Sequence, residues 1–177
     1  MGTLEIFKID LKGMAAEETA YEFTLDSDYF NKIGATEVKD GHLNATLLVR
    51  KTAGEFELDF HIEGGAVVVC DLCLDDVTLP VSTDKTVVVK MGDTFEDDDE
   101  VVIVPADEGV IDVAWLLYEM VVLSLPTRHV HEEGGCNPVM MEKLQSMTPS
   151  AADASGQDGD SVDPRWSKLE KLKSTIK

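Results

Sequence analysis

Residues 42–63 read HLNATLLVRKTAGEFELDFHIE, and apolar side chains alternate with polar ones on both sides of a short break. This period of two is typical of strands with one buried and one exposed face. The break, Thr52-Ala53-Gly54, is short and contains glycine, which favours an antiparallel hairpin. The side chains predicted to share the buried face are Leu43, Ala45, Leu47 and Val49 before the break, and Phe56, Leu58, Phe60 and Ile62 after it.

Further β-branched runs on both sides of this hairpin predict more strands in the same sheet. They cover residues 4–9, 66–70 (after a predicted Gly64-Gly65 turn), 77–81, 86–91 and 101–104. Residues 92–100 carry six acidic side chains and almost nothing apolar, which predicts a mobile acidic loop.

Two segments have the marks of helices. Asp26 begins a short capped turn that ends at the Gly34 break. Asp112 is the expected N-cap of a helix over residues 113–123, whose apolar side chains recur at helical spacing. Pro126 ends this helix, because the residue before a proline disfavours helical backbone.

The composition divides the chain into three parts. Residues 1–144 are predicted to form one α+β domain, with one principal helix packed on a mainly antiparallel sheet that has room to curve into a barrel-like shape. Residues 145–163 have the composition of a disordered linker. Residues 164–177 are predicted to form a flexible, basic, amphipathic tail that either binds a partner or folds back on the acidic domain. Its candidate partner-binding residues are Arg165, Trp166, Lys168, Lys171 and Lys173.

The charge of the chain constrains its partners. Acidic residues outnumber basic ones by 35 to 15, a net charge of −20. Residues 165–177 contribute +4, which leaves −24 on residues 1–164. Such a surface repels nucleic acid and anionic membrane, so we expect a basic protein as partner, or RNA at one local patch.

The cellular setting is predicted from absences in the sequence. The start of the chain has no secretory signal, and the apolar stretch over residues 110–125 contains two acidic residues and is too short to cross a bilayer. Three cysteines are an odd number, which favours free or metal-bound thiols in a reducing compartment. We therefore expect a cytoplasmic protein without a membrane partner.

The cysteines suggest a metal site. Cys70 and Cys73 are separated by two residues, a spacing that lets two thiolates bind one tetrahedral ion. Cys136 and His131 would complete a Cys3His zinc site, with His129 as the alternative ligand. Four protein ligands leave no position for substrate, so such a zinc would be structural. The other interpretation is that the thiols are buried and free and the histidines lie on the surface.

The order of these features resembles the YceD family. The resemblance rests on Cys70-Asp71-Leu72-Cys73-Leu74 after a valine-rich strand, the acidic loop, the helix that runs into Leu125-Pro126, His131 with Cys136, and the ending Asp163-Pro164-Arg165-Trp166. It implies a role in the accumulation of large-subunit ribosomal RNA in bacteria and plastids, and it implies no catalytic residues.

The resulting functional prediction is a non-enzymatic ribosome-biogenesis factor. It would support accumulation of 23S-type RNA by binding a basic ribosomal protein, ribosomal RNA or the precursor of the large ribosomal subunit, and it would take no small-molecule substrate. Phosphate-binding loops, nucleophile elbows and metalloprotease helices are missing from the sequence, which agrees with this prediction. The alternative is a zinc-dependent RNA-processing enzyme, with His129 or Glu132 beside an open metal position.

Overall fold

The fold is dominated by three long strands. The computed structural model describes residues 4–98 and 101–148. In chain order the elements are a 3-10 turn (Leu4–Phe7), β1 (Lys8–Asp10), β2 (Glu18–Leu25), α1 (Ser27–Ile33), β3 (Asp40–Lys51), β4 (Glu55–Val69), β5 (Asp76–Gly92), β6 (Glu96–Asp98), β7 (Val101–Pro105), β8 (Val110–Asp112), α2 (Ala114–Ser124) and α3 (Pro138–Met147).

Six of these strands form one sheet in the order β2-β3-β4-β5-β7-β6, and β1 pairs with β8 in a small second sheet. Neighbouring strands are antiparallel except for β5 and β7, which are parallel. The predicted α+β class with a mainly antiparallel sheet is confirmed. Within the described residues the sheet stays open, with β2 and β6 at its edges, so the barrel-like closure does not form.

The hairpin of residues 42–63 forms as predicted. β3 and β4 pair in a register that places Leu47 opposite Phe60 and Val49 opposite Leu58. The backbone N–H of Thr52 donates to the carbonyl of Glu55 at 2.9 Å and closes the turn. All eight apolar side chains assigned to the buried face are buried, so the alternation of the sequence describes the sheet correctly.

The predicted Gly64-Gly65 turn is wrong, because β4 runs through both glycines without a break. Gly64 has φ 147 and lies so close to β3 that a Cβ would meet the carbonyl oxygen of His42 at 2.3 Å. Glycine here permits a close strand approach rather than a reversal of the chain. The predicted strands over 77–81 and 86–91 are likewise parts of one strand, because β5 pairs with β4 without a break from Asp76 to Lys90.

The two ends of the predicted sheet also differ from expectation. Residues 4–9 divide into the 3-10 turn and the short strand β1. The acidic segment 92–100 contains strand β6, in which Asp97 pairs with Val102 of β7. The acidic segment can form a strand because its backbone hydrogen-bonds to β7, which does not require apolar side chains. The charged side chains of β6 remain exposed.

Helix α1 has the predicted ends: Asp26 accepts a hydrogen bond from the backbone N–H of Tyr29 at 3.1 Å, and Gly34 has φ 74. Helix α2 begins one residue later than predicted, so its N-cap position is Val113 instead of Asp112. The Asp112 carboxylate nevertheless accepts from the first helical N–H, that of Ala114, at 2.9 Å. Asp112 therefore caps the helix as predicted, although the helix begins one residue later.

The end of the described chain is helical. The chain divides into two units between Asn137 and Pro138, and α3 covers Pro138–Met147. The boundary predicted near residue 144 falls inside α3, and residues 145–147, assigned to the linker, are helical. Linker residues 149–163 and the tail residues Arg165, Trp166, Lys168, Lys171 and Lys173 lie outside the described residues. Within the described ranges, every helix is too short or too polar to cross a bilayer.

Candidate metal centre

Cys70 and Cys73 lie in the turn that joins β4 to β5. The backbone N–H of Cys70 donates to the carbonyl of Asp75 at 2.8 Å, and that of Leu74 donates to the carbonyl of Cys70 at 3.0 Å. These bonds close the turn into a tight knuckle, in which both cysteines are buried. The two-residue spacing therefore produces the local geometry that it predicts.

A second segment, which follows α2, is fixed against this knuckle by Asp71. The backbone N–H of Asp71 donates to the carbonyl of His129, and the carboxylate of Asp71 accepts from the N–H of His129, both at 2.7 Å. Asn137 adds a hydrogen bond from its side-chain amide to the Asp75 carboxylate at 3.1 Å. These contacts hold residues 129–137 at both ends and bring His131 and Cys136 to the cysteine pair.

The ligand atoms of Cys70, Cys73, His131 and Cys136 lie within 4.8 Å of one another, and the four residues could hold a metal ion. Cys70 Sγ and Cys136 Sγ are 3.9 Å apart. Nδ1 of His131 is 3.4 Å from Cys73 Sγ and 3.8 Å from Cys136 Sγ. A tetrahedral zinc site places two sulfurs about 3.8 Å apart and a sulfur and a nitrogen about 3.5 Å apart. These three distances are close to those of such a site.

The ring of His131 is oriented by its second nitrogen. Nε2 lies 3.2 Å from the carbonyl oxygen of Asp76, which can only accept a hydrogen bond. The proton therefore belongs on Nε2, and the lone pair of Nδ1 points towards the sulfurs, as in histidine ligands that are fixed by a backbone carbonyl. His129, the alternative ligand, contributes backbone contacts to the knuckle, and it lies outside the ligand cluster together with Glu132.

The thiols have different pKa values because their surroundings differ. Burial by itself would raise the pKa of the Cys70 thiol, but backbone N–H groups of Cys73, Leu72 and His131 donate to its sulfur and lower the pKa to about 6. Burial, followed by the sulfurs of Cys70 and Cys73, raises the pKa of Cys136. A bound cation would reverse the effect on Cys136, because it favours thiolate at every sulfur that it contacts.

Sequence reasoning did not identify the residues that support the ligands. Asp71 fixes residue 129, Asp76 orients His131, and Asn137 contacts the knuckle. Of these three residues, only Asp71 has a sequence signal for a supporting role, because it stands between the two cysteines. The other two contacts depend on tertiary structure and leave no local pattern.

The described fold is an open β-sheet in which two cysteines of one inter-strand turn meet a histidine and a cysteine from the segment after α2. These features define a small β-rich protein with a Cys3His cluster. The family model described as "Large ribosomal RNA subunit accumulation protein YceD" matches residues 58–173. This range covers more than half of the chain and contains all four cluster residues, and the chain belongs to this family. Searches of curated proteins and of solved structures find no match to the chain. Membership connects the protein with the accumulation of large-subunit ribosomal RNA.

Proposed function

We propose that this protein is a non-enzymatic assembly factor that supports accumulation of 23S-type ribosomal RNA by holding a basic ribosomal protein on the precursor of the large subunit. The observation that carries the proposal is the family match over residues 58–173, which spans the knuckle and β5–α2. The acidic excess of 35 residues against 15 supports a basic protein over RNA as the direct partner of the folded domain. The protein would act in the cytoplasm, where ribosomes assemble.

We propose zinc as the ion of the Cys3His cluster, in a structural role. Three thiolates and one imidazole are a ligand set that zinc prefers, and four protein ligands leave no position for a reacting water. The alternative of a zinc-dependent RNA-processing enzyme requires an open position. The closed set of four side chains supports a scaffold instead.

The tail is proposed to attach the protein to the particle. Residues 165–177 carry five basic side chains and one acidic one, enough for a few phosphate contacts. Trp166 can stack on an unpaired base. The linker connects the tail to the domain that holds the ribosomal protein. A weak contact between the tail and RNA would therefore raise the local concentration of that ribosomal protein at the particle.

Sedimentation of cell extract tests this function. We expect the full chain to travel with precursors of the large subunit at low salt. Deletion of residues 164–177 is expected to release the chain at moderate salt, because phosphate contacts weaken steeply with ionic strength. A matched variant with Glu170→Gln keeps the basic residues and should sediment like the unaltered chain. Sedimentation of the full chain only in the soluble fraction, at every salt concentration, would refute the proposed function.

A further inference from the structure

The outer face of α2 exposes large apolar side chains. Leu117 and Val121 are buried on its inner face, but Trp115 is 51% exposed and Leu123 is 77% exposed. A helix that is apolar on all sides is normally covered on all sides, and an exposed apolar patch with a polar rim usually marks an interaction surface.

A groove of about 420 Å³ lies beside this face, and its lining outside α2 includes Lys85 of β5 and Asp97 of β6. Leu116, Met120 and Leu123 supply apolar walls. The charged groups at the groove are the carboxylates of Asp97 and Glu119 and the ammonium of Lys85. The groove is therefore apolar with an acidic excess at its edge, on a chain whose net charge is −20.

Glu119 is held in place at the groove by its own helix. Nε1 of Trp115 donates to the Glu119 carboxylate at 2.6 Å, and the rings of Trp115 and Tyr118 lie 5.2 Å apart. The Tyr118 hydroxyl accepts hydrogen bonds from the backbone N–H groups of Thr36 and Glu37, both at 3.3 Å. These contacts fix the aromatic pair and the carboxylate before any partner arrives, which reduces the entropy cost of binding.

We propose that the α2 groove (Leu116, Glu119, Met120, Leu123 and Asp97) binds a cationic amphipathic segment of a basic protein. Apolar side chains of the segment would enter beside Leu123, and its lysines or arginines would face Glu119 and Asp97, as in helix-in-groove recognition. Charge disfavours two other occupants: a second copy brings the same negative excess, and RNA is repelled by the carboxylates. The basic tail of the same chain, residues 164–177, is the competing occupant. Deletion of the tail should leave the affinity for an added cationic peptide unchanged, and a gain in affinity would assign the groove to the tail and overturn the inference. The inference rests on the proposed function for the identity of the partner as a ribosomal protein.

The test is a titration of the full chain with a fluorescein-labelled helical peptide of leucine and lysine, about 15 residues long, with leucines at i, i+3, i+4 and i+7. We expect fluorescence anisotropy to show saturable binding. Leu123→Ser should weaken binding about tenfold, because it removes a central apolar anchor. Glu119→Lys should weaken it as well, more strongly at low salt than at high salt.

Two controls separate groove binding from attraction to the whole acidic surface. Ile6→Ser removes a side chain of similar exposure, 62%, outside the groove, and should leave the affinity unchanged. A peptide of the same composition in scrambled order should bind at least tenfold more weakly, because it lacks a continuous apolar face.

The following outcomes would overturn the inference: equal binding of both peptides, or equal affinities of the Leu123→Ser and unaltered chains. It would also be overturned if Leu123→Ser abolished self-association of the chain or abolished binding of a single-stranded RNA probe. Peptide binding that Leu123→Ser weakens, in a chain that does not travel with ribosomal precursors, would support the groove and contradict the proposed function alone.

Discussion

Replacement of Cys73 by serine is expected to remove the metal from the purified protein and to lower the free energy of unfolding by about 4 kcal/mol. The estimate is the stabilisation that a ligand supplies when its free concentration is about a thousandfold above its Kd. Cys73 is 1% exposed and lies 3.4 Å from His131, so a serine there would be a poor ligand in a buried site. Structural metal binding is coupled to folding in this way because the unfolded chain has no preformed site.

Metal analysis and denaturant unfolding, each with and without chelator, provide the measurement. The unaltered chain should contain close to one zinc ion, and chelator should destabilise it but not the Cys73→Ser variant. Substitution of the two histidines supplies the matched control: His131→Asn should lose the metal, whereas His129→Asn should retain it because His129 contributes backbone contacts. A metal-free chain that is as stable as its Cys73→Ser variant would disprove the site.

Replacement of Gly64 by alanine is expected to lower the free energy of unfolding by about 3 kcal/mol or more. The added Cβ would lie 2.3 Å from the carbonyl oxygen of His42 and 2.6 Å from Cα of Leu43, and both are backbone atoms of the paired strand. The φ of 147 is also one that only glycine adopts readily. The cost of moving β4 away from β3 and the cost of the strained backbone therefore both lower the free energy of unfolding.

Gly54→Ala is the matched control for this prediction. Gly54 also has positive φ, 100, but a Cβ there would have no neighbour within 4 Å. Its replacement should cost only about 1 kcal/mol, from backbone strain alone. Denaturant unfolding of both variants gives the comparison. If both variants lost the same free energy of unfolding, the close approach of β4 to β3 would not be the reason that position 64 requires glycine.

The sequence predicted those parts of the fold whose signals are local. The hairpin of residues 42–63 follows from strict alternation, and α1 follows from the cap at Asp26 and the glycine at Gly34. Gly64 and Gly65 misled the prediction because a glycine pair signals a turn, whereas here it allows two strands to approach closely. Strand β6 has no apolar pattern, and its pairing with the backbone of β7 makes it a strand. Strand β2 does carry a local signal that the prediction lacks, since Tyr21, Phe23 and Leu25 alternate along one face.

In the candidate site, too, the features with a local sequence signal were predictable and those that depend on tertiary contacts were not. The three cysteines of the cluster could be identified from residue type and spacing, because a pair separated by two residues and a third thiol are typical of a tetrahedral metal site. The sequence favours His131 as the histidine of the cluster but leaves His129 as an alternative, since both lie in the same loop, and the structure places His131 in the cluster. This placement depends on Asp71, which engages the backbone of His129, and on Asp76, which orients the ring of His131.

The proposed role in accumulation of large-subunit ribosomal RNA is tested most directly by the ratio of 23S-type to 16S-type RNA in cells that lack the protein. We predict that the ratio falls without the chain, and that the unaltered chain and His129→Asn restore it. Cys73→Ser should fail to restore it because the knuckle loses its metal. An unchanged ratio in cells without the chain would contradict the account.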